Sequence, residues 1–114
     1  LRDAMTLGLK AGYEVADLGS IAAPGVTVAQ VTTGLNIAFQ VTVASIGTSV
    51  TIRLEGSVDD ENYFNLDESE TDTTLTANST YGYALNGCPV KYVRLRIVSI
   101  DGGTPTVSAK VGSM

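Results

Sequence analysis

Carboxylates are the most concentrated reactive groups of this chain: eight of the twelve Asp and Glu residues fall between Glu55 and Asp72. Within this stretch, the run Asp59-Asp60-Glu61-Asn62 offers the clustered oxygens that calcium requires. The spacing does not follow the Asp-x-Asp-x-Asp-Gly pattern of an EF-hand loop. A solvated polar loop is therefore the favoured interpretation, with calcium binding as the alternative and docking to a basic partner compatible with either.

A stripe of Tyr92, Arg94 and Arg96 occupies alternate positions of one segment, so these side chains share one face of a strand. One interpretation is a sheet face covered by long side chains, and the other is a contact surface, where Tyr and Arg are favoured. Neighbouring arginines need an acceptor, which the acidic stretch of this chain or of a neighbouring subunit can supply. The candidate interface residues are Tyr92, Arg94, Arg96, Asp59, Asp60, Glu61 and Tyr63.

Catalysis is disfavoured by what the sequence lacks. It contains no histidine, so the usual general base and most zinc sites are missing. No serine-lysine motif or phosphate-binding glycine loop is present, and the carboxylates are expected to be exposed, with ordinary pKa values. We therefore predict a protein that is not an enzyme, with no catalytic residues, cofactor or metal.

The net charge limits the classes of binding partner, and the cysteine content indicates the redox environment. The net charge of −5 disfavours nucleic acid and anionic membrane surfaces. No apolar run approaches the length of about 18 residues that a membrane span requires. The single cysteine, Cys88, cannot form an intrachain disulfide and is interpreted as a small apolar core or edge residue. Such a chain suits assembly in a reducing cytoplasm.

Strict alternation of apolar and polar residues is the main structural signal, and it predicts strands with one buried face. The segments with this pattern are 35–43, 50–54, 81–85, 93–97 and 107–111. Weaker strands are expected at 13–18, 26–32, 63–66 and 73–77, with a slip in phase near Ala29 and Gln30. Both phenylalanines, Phe39 and Phe64, are expected to be buried.

Turn residues separate these strands, including Ile-Gly-Thr-Ser at 46–49, Asn-Gly at 86–87 and Asp-Gly-Gly at 101–103. The last of these predicts a hairpin in which 91–100 returns as 104–112. Eight or nine short strands at this spacing predict an all-β fold, a two-sheet antiparallel sandwich of jelly-roll type, with a closed barrel as the alternative.

One domain is expected, spanning residues 13–114. The preceding residues, 1–12, carry apolar Met5, Leu7 and Leu9 on alternate positions. They are interpreted as an N-terminal edge strand or, alternatively, as an arm that reaches a neighbouring subunit.

Two stretches resemble a known group of proteins: VTIRLEGSVDDENYFNLDES at 50–69 and NSTYGYALNGCPVKYVRLRIVSIDGGTPTVSAKV at 78–111. Both resemble small β-sandwich structural proteins of tailed bacteriophages, among them capsid decoration (cement) proteins and domains of tails or fibres. The stretch Tyr-x-Arg-Leu-Arg is also similar to a strand of discoidin and other galactose-binding-like domains.

The resemblance implies a non-catalytic virion protein, made in the host cytoplasm and located on the capsid surface. Its partners would be the major capsid protein, whose shell it stabilises, and other copies of itself in a homotrimer. The alternative is a carbohydrate- or receptor-binding module of a phage tail or fibre, which would use a groove formed by Tyr63, Tyr81, Tyr83 or Tyr92.

Overall fold

The computed structural model describes residues 13–67, 69 and 71–114, and within them the regular structure is entirely strand. No helix among the described residues is long and apolar enough to span a membrane. The eight strands of this part are β1 (Glu14–Ile21), β2 (Gly25–Val26), β3 (Gln30–Val31), β4 (Ile37–Ser57), β5 (Phe64–Asn65), β6 (Thr73–Leu75), β7 (Ser79–Leu85) and β8 (Tyr92–Ser113).

Two long strands, β4 and β8, form the centre of one antiparallel sheet. They pair along almost their whole length, from Ile37 opposite Ser113 to Ser57 opposite Tyr92. On the outer side of β8 lie β1, β2 and β3, and on the outer side of β4 lie β7, β6 and β5. Each long strand therefore pairs with different short strands along its length. From its start, β4 pairs with β7, then β6, then β5, and β8 pairs with β3, then β2, then β1.

The central ladder bends in its middle. A straight strand of this length would extend about 70 Å, whereas the longest dimension of the molecule is 48 Å. The register shifts around Ile46, which lies opposite Gly103, and Ser45, Gly102 and Gly103 adopt positive φ angles. These bulges increase the local twist and turn both strands.

Bending at these bulges curls the sheet into a half-barrel, and its inward-facing side chains merge into one core. The alternating residues of β4 and β8 supply most of that core, including Phe39, Val41, Ile52, Leu95 and Val107. On one side of the curl β1 approaches β3, and the Gln30 side chain donates to the Asp17 carbonyl at 2.9 Å.

The all-β prediction is confirmed, and the alternating burial is confirmed for 37–43, 93–97 and 107–111. In 50–54 and 81–85 the predicted inward residues Leu54, Tyr81, Tyr83 and Leu85 are only partly buried. Leu35, predicted to face the core, lies before β4 and is 54% exposed. The weak strand at 26–32 is two short strands, β2 and β3, separated where the phase slip was noted. The arm or edge strand predicted at 1–12 lies outside the described residues.

The connectivity between strands differs from the prediction. Segments 91–100 and 104–112 do not form a hairpin, because both belong to β8 and both pair with β4. Likewise, 46–49 is a bulged part of β4 and does not connect two separate strands. The described strands thus form one curled sheet where a two-sheet jelly roll was predicted. Glycine and serine occur in bulges as well as in turns, so the motifs at 46–49 and 101–103 suited both. The prediction took them for turns, whereas both are bulges.

Candidate interaction surface

Five charged side chains form a cluster on the outer face of the sheet, and we call it the Glu55 cluster: Arg53, Glu55, Asp72, Arg94 and Arg96. The ladder places Glu55 opposite Arg94, a pair of opposite charges, and Arg53 opposite Arg96, a pair of like charges. Both Arg53 and Arg96 lie within 3.6 Å of Glu55 Oε2, so the carboxylate offsets their repulsion. Arg94 Nε donates to Glu55 Oε1 at 2.7 Å, and Arg96 Nε donates to Oε2 at 2.9 Å.

Glu55 is the centre of this cluster and is buried, with a side-chain exposure of 4%. Burial alone would raise the pKa of its carboxyl, but hydrogen bonds and charges from Arg96 and Arg94 outweigh burial and lower it. Arg53 Nη1 adds a third cation at 3.6 Å. Glu55 is therefore held as an anion, contrary to the expectation that the carboxylates are exposed and have ordinary pKa values.

Arg53 extends the cluster to Asp72, which immediately precedes β6. Its Nε and Nη2 atoms donate to the two carboxylate oxygens at 2.8 and 3.2 Å. This bidentate geometry is the strong form of an ion pair. The hydrogen bond from Arg53 lowers the pKa of Asp72, and that bond in turn raises the pKa of Arg53.

Tyr63 covers the Arg94 guanidinium, whose carbon lies 3.6 Å from the ring centroid. The tyrosine hydroxyl donates to Asp60 Oδ1. Burial, followed by this hydrogen bond, raises the pKa of Tyr63 to about 12. The phenol therefore remains protonated at neutral pH and holds the acidic loop against the arginines.

The loop from Ser57 to Asn62 is fixed by its own side chains. Asp59 Oδ1 accepts from the backbone N–H groups of Glu61 and Asn62, both at 2.9 Å, and from the Ser57 hydroxyl. These backbone hydrogen bonds lower the pKa of Asp59 far below its usual range. Asp60 adopts a positive φ of 62° within this loop.

Calcium binding was the alternative interpretation of this loop, and the Asp59 carboxylate is already engaged there by protein donors. Its second oxygen, Oδ2, accepts from the Asn62 amide at 3.1 Å. Across 13–67, 69 and 71–114, no three His, Cys, Asp or Glu side chains converge in a way that could hold a metal ion.

Four of the seven interface residues predicted from the sequence are linked into one network: Arg94 and Arg96 through Glu55, and Tyr63 and Asp60 through Arg94. Asp59 and Glu61 shape the adjoining loop, and Tyr92 lies beneath Lys91, whose Nζ is 5.6 Å from the ring centroid. The acceptor for the arginines is thus supplied within the chain. Sequence reasoning included Glu55 and Asp72 only as part of the acidic stretch and missed Arg53. The alternation of Arg53 with Glu55 along one strand was a usable signal.

The surface retains capacity for a partner. Arg94 and Arg96 reach Glu55 through Nε, and no acceptor among the described residues engages their terminal Nη groups. Val26 lies opposite Arg96 and Val31 opposite Tyr92 across the sheet, with 39% and 52% exposure. Guanidinium donors bordered by exposed valines form a mixed polar and apolar contact surface.

The tyrosines do not form the single groove that glycan binding would use. Tyr63 and Tyr92 lie at the Ser57 end of β4, whereas Tyr81 and Tyr83 pair with Val41 and Phe39 near its start. The Tyr81 hydroxyl donates to the Ala77 carbonyl at 2.7 Å. Phe64, expected to be buried, is 50% exposed.

The chain is similar to known proteins in its fold. No protein-family model matches the chain, and no curated protein matches its sequence. Among solved structures, the SPBc2 prophage-derived protein YomS has a similar fold, with a TM-score of 0.56 and 14% sequence identity. The similarity covers 89% of this chain and 93% of YomS. At this identity the similarity shows the fold alone.

Proposed function

We propose that this chain is a structural protein of a bacteriophage particle, specifically a capsid decoration (cement) protein. In this role it binds the outer surface of the capsid as a homotrimer and stabilises the shell. Its partners are the major capsid protein of the same virion and its own copies. It acts by binding, without catalysis.

The fold similarity to a prophage-derived protein is the observation that carries this proposal, because it extends over 89% of the chain. The two stretches at 50–69 and 78–111 independently resemble small structural proteins of tailed phages. Together they favour a phage particle as the place where the protein works, and the resemblance includes capsid decoration proteins as well as tail and fibre domains.

The Glu55 cluster supports a docking role. Its carboxylate is buried and engaged by three arginines, so the cluster is rigid. No acceptor among the described residues engages the Nη groups of Arg94 and Arg96. Carboxylates on a partner surface would accept hydrogen bonds from these Nη groups. Salt would screen these partly buried ion pairs only in part. We assign this surface to capsid binding.

The proposal is tested by adding purified protein to phage shells that lack it. We expect saturable binding and a higher temperature of shell disruption. Arg96→Gln is expected to weaken binding, and the matched variant Lys110→Gln, on the other half of the sheet, is expected to bind normally. If shells with and without the protein disrupt at the same temperature, the capsid role is wrong.

A further inference from the structure

The free edges of this sheet differ in how they are protected against pairing with another chain. The outer edge of β1 carries Glu14 and Asp17, has a bulge between Asp17 and Gly19, and has a carbonyl capped by Gln30. The edge at β5 and β6 consists of very short strands beside the acidic loop. Charges, bulges and short strands are the usual means of blocking edge-to-edge association.

Strand β7 has none of these features. Its seven residues, STYGYAL, are uncharged and contain no proline. All seven pair with β4 without a register shift, from Ile37 opposite Leu85 to Val43 opposite Ser79. Within the described residues its other edge has no partner strand. A regular, uncharged edge of this length is a template for an added strand.

A cleft of about 530 Å³ lies beside this edge. One wall is Gly82–Leu85 of β7, and the rest of the lining includes Arg53, Asn65, Asp67, Ser69, Thr71 and Thr73. Leu54, Leu66 and Leu85 give it apolar lining, and Asp67 lies on its acidic rim. The open side of the half-barrel therefore combines an unpaired strand edge with space and apolar contacts for alternate side chains.

The chain itself contains a segment that matches this edge. Residues 4–9, AMTLGL, are uncharged and about as long as β7, with Met5, Leu7 and Leu9 on one phase. Lys10 follows directly and is opposite in charge to Asp67 at the cleft. We propose that residues 1–12 of a second copy add to β7 as a strand, placing their apolar phase in the cleft and linking copies of the protein.

Strand direction favours a second copy over the same chain as the source. Glu14, Ser113, Ile37 and Leu85 lie in line across the sheet, so β1 begins at the Leu85 end of β7. Reaching the β7 edge of the same chain requires crossing three strand spacings, about 14 Å. The segment would then run parallel to β7, in a sheet whose described pairings are all antiparallel. A second copy can pair in the antiparallel, slightly more stable direction.

The inference deepens the self-association included in the proposed function, and its test needs no phage particle. The full chain is compared with Leu7→Asp and with the matched control Thr6→Asp, which lies on the opposite phase of the same segment. Sedimentation velocity gives the oligomeric state, and amide hydrogen exchange reports on β7. We expect the full chain and Thr6→Asp to be oligomers, and Leu7→Asp to be a monomer with faster exchange in β7 and unchanged exchange in β4 and β8.

A second measurement uses a synthetic peptide of residues 1–12. We expect it to dissociate the oligomer when in excess, and we expect a version N-methylated at alternate residues, which cannot donate those backbone hydrogen bonds, to fail. A full chain that is monomeric, or an oligomer that Leu7→Asp leaves intact, would overturn the inference. A monomer in which Leu7→Asp accelerates β7 exchange would assign the edge to the same chain, also overturning it. Shell binding is scored separately, so the capsid role and this inference can fail independently.

Discussion

At the scale of single residues, the surface depends on Glu55. The alternation of Val50, Ile52 and Leu54 correctly placed this carboxylate on the outward phase of its strand. The sequence pattern could not predict that the Glu55 carboxylate is buried, because its burial depends on which strand pairs with β4. Only the pairing with β8 places Arg94 opposite Glu55 and Arg96 within reach of it, covering the carboxylate from both sides.

Glu55 should make stability depend on pH. Its pKa is lowered in the folded protein, so the stabilisation is present above the unfolded pKa of about 4.3 and is lost as the pH falls through the folded value. We expect Glu55→Gln to cost about 1.5–3 kcal/mol at pH 7. Urea unfolding at pH 7 and pH 3 should show a smaller difference between the two pH values for the variant than for the parent protein. An equal difference would mean that Glu55 carries no such linkage.

Tyr63 tests the stacking on Arg94 separately from its hydrogen bond. Tyr63→Phe keeps the ring over the guanidinium but loses the hydroxyl that binds Asp60, whereas Tyr63→Leu loses both. A cation–π contact at a partly exposed site contributes about 0.5–1 kcal/mol. We therefore expect Tyr63→Leu to be less stable than Tyr63→Phe by about that amount in urea unfolding. Equal stability of the two variants would show that the ring contact contributes nothing.

At the scale of elements, the bend in the β4–β8 ladder determines the architecture. The alternating pattern was sufficient to place most strands, since burial on one face requires it. It could not determine their partners, because Ile-Gly-Thr-Ser and Asp-Gly-Gly suit a bulge as well as a turn. The two motifs instead lie near each other in the central ladder, with Ile46 opposite Gly103.

Glycines at the bend should not tolerate a side chain. Gly103 has a φ of 70°, and a Cβ there would lie 2.4 Å from the Gly47 backbone nitrogen. We expect Gly103→Ala to destabilise the fold by about 2 kcal/mol or more. The control is Gly82→Ala in β7, where a Cβ would meet no atom within 4 Å, and we expect a change within about 0.5 kcal/mol. Thermal unfolding compares the two, and similar melting temperatures would contradict a tightly packed bend.

At the scale of the whole molecule, one curled sheet presents two surfaces, which adjoin at Arg53. The Glu55 cluster lies on the outer face of the half containing the Ser57 end of β4, and the free edge of β7 lies on the half containing its Ile37 end. A protein that binds a shell and also its own copies needs two such surfaces. Arg53 belongs to both, whereas Arg96 does not line the cleft, so we expect Arg96→Gln to leave the oligomeric state unchanged.

The central claim, that this chain is a capsid decoration protein, is tested most directly by locating it in the phage particle. Cryo-electron microscopy of the particle, with mass-spectrometric measurement of copy number, gives both position and stoichiometry. We expect trimers on the outer capsid at three-fold or quasi-three-fold positions, in numbers comparable to the major capsid protein, with the Glu55 cluster facing the shell. A few copies confined to the tail, or none in the particle, would contradict the account.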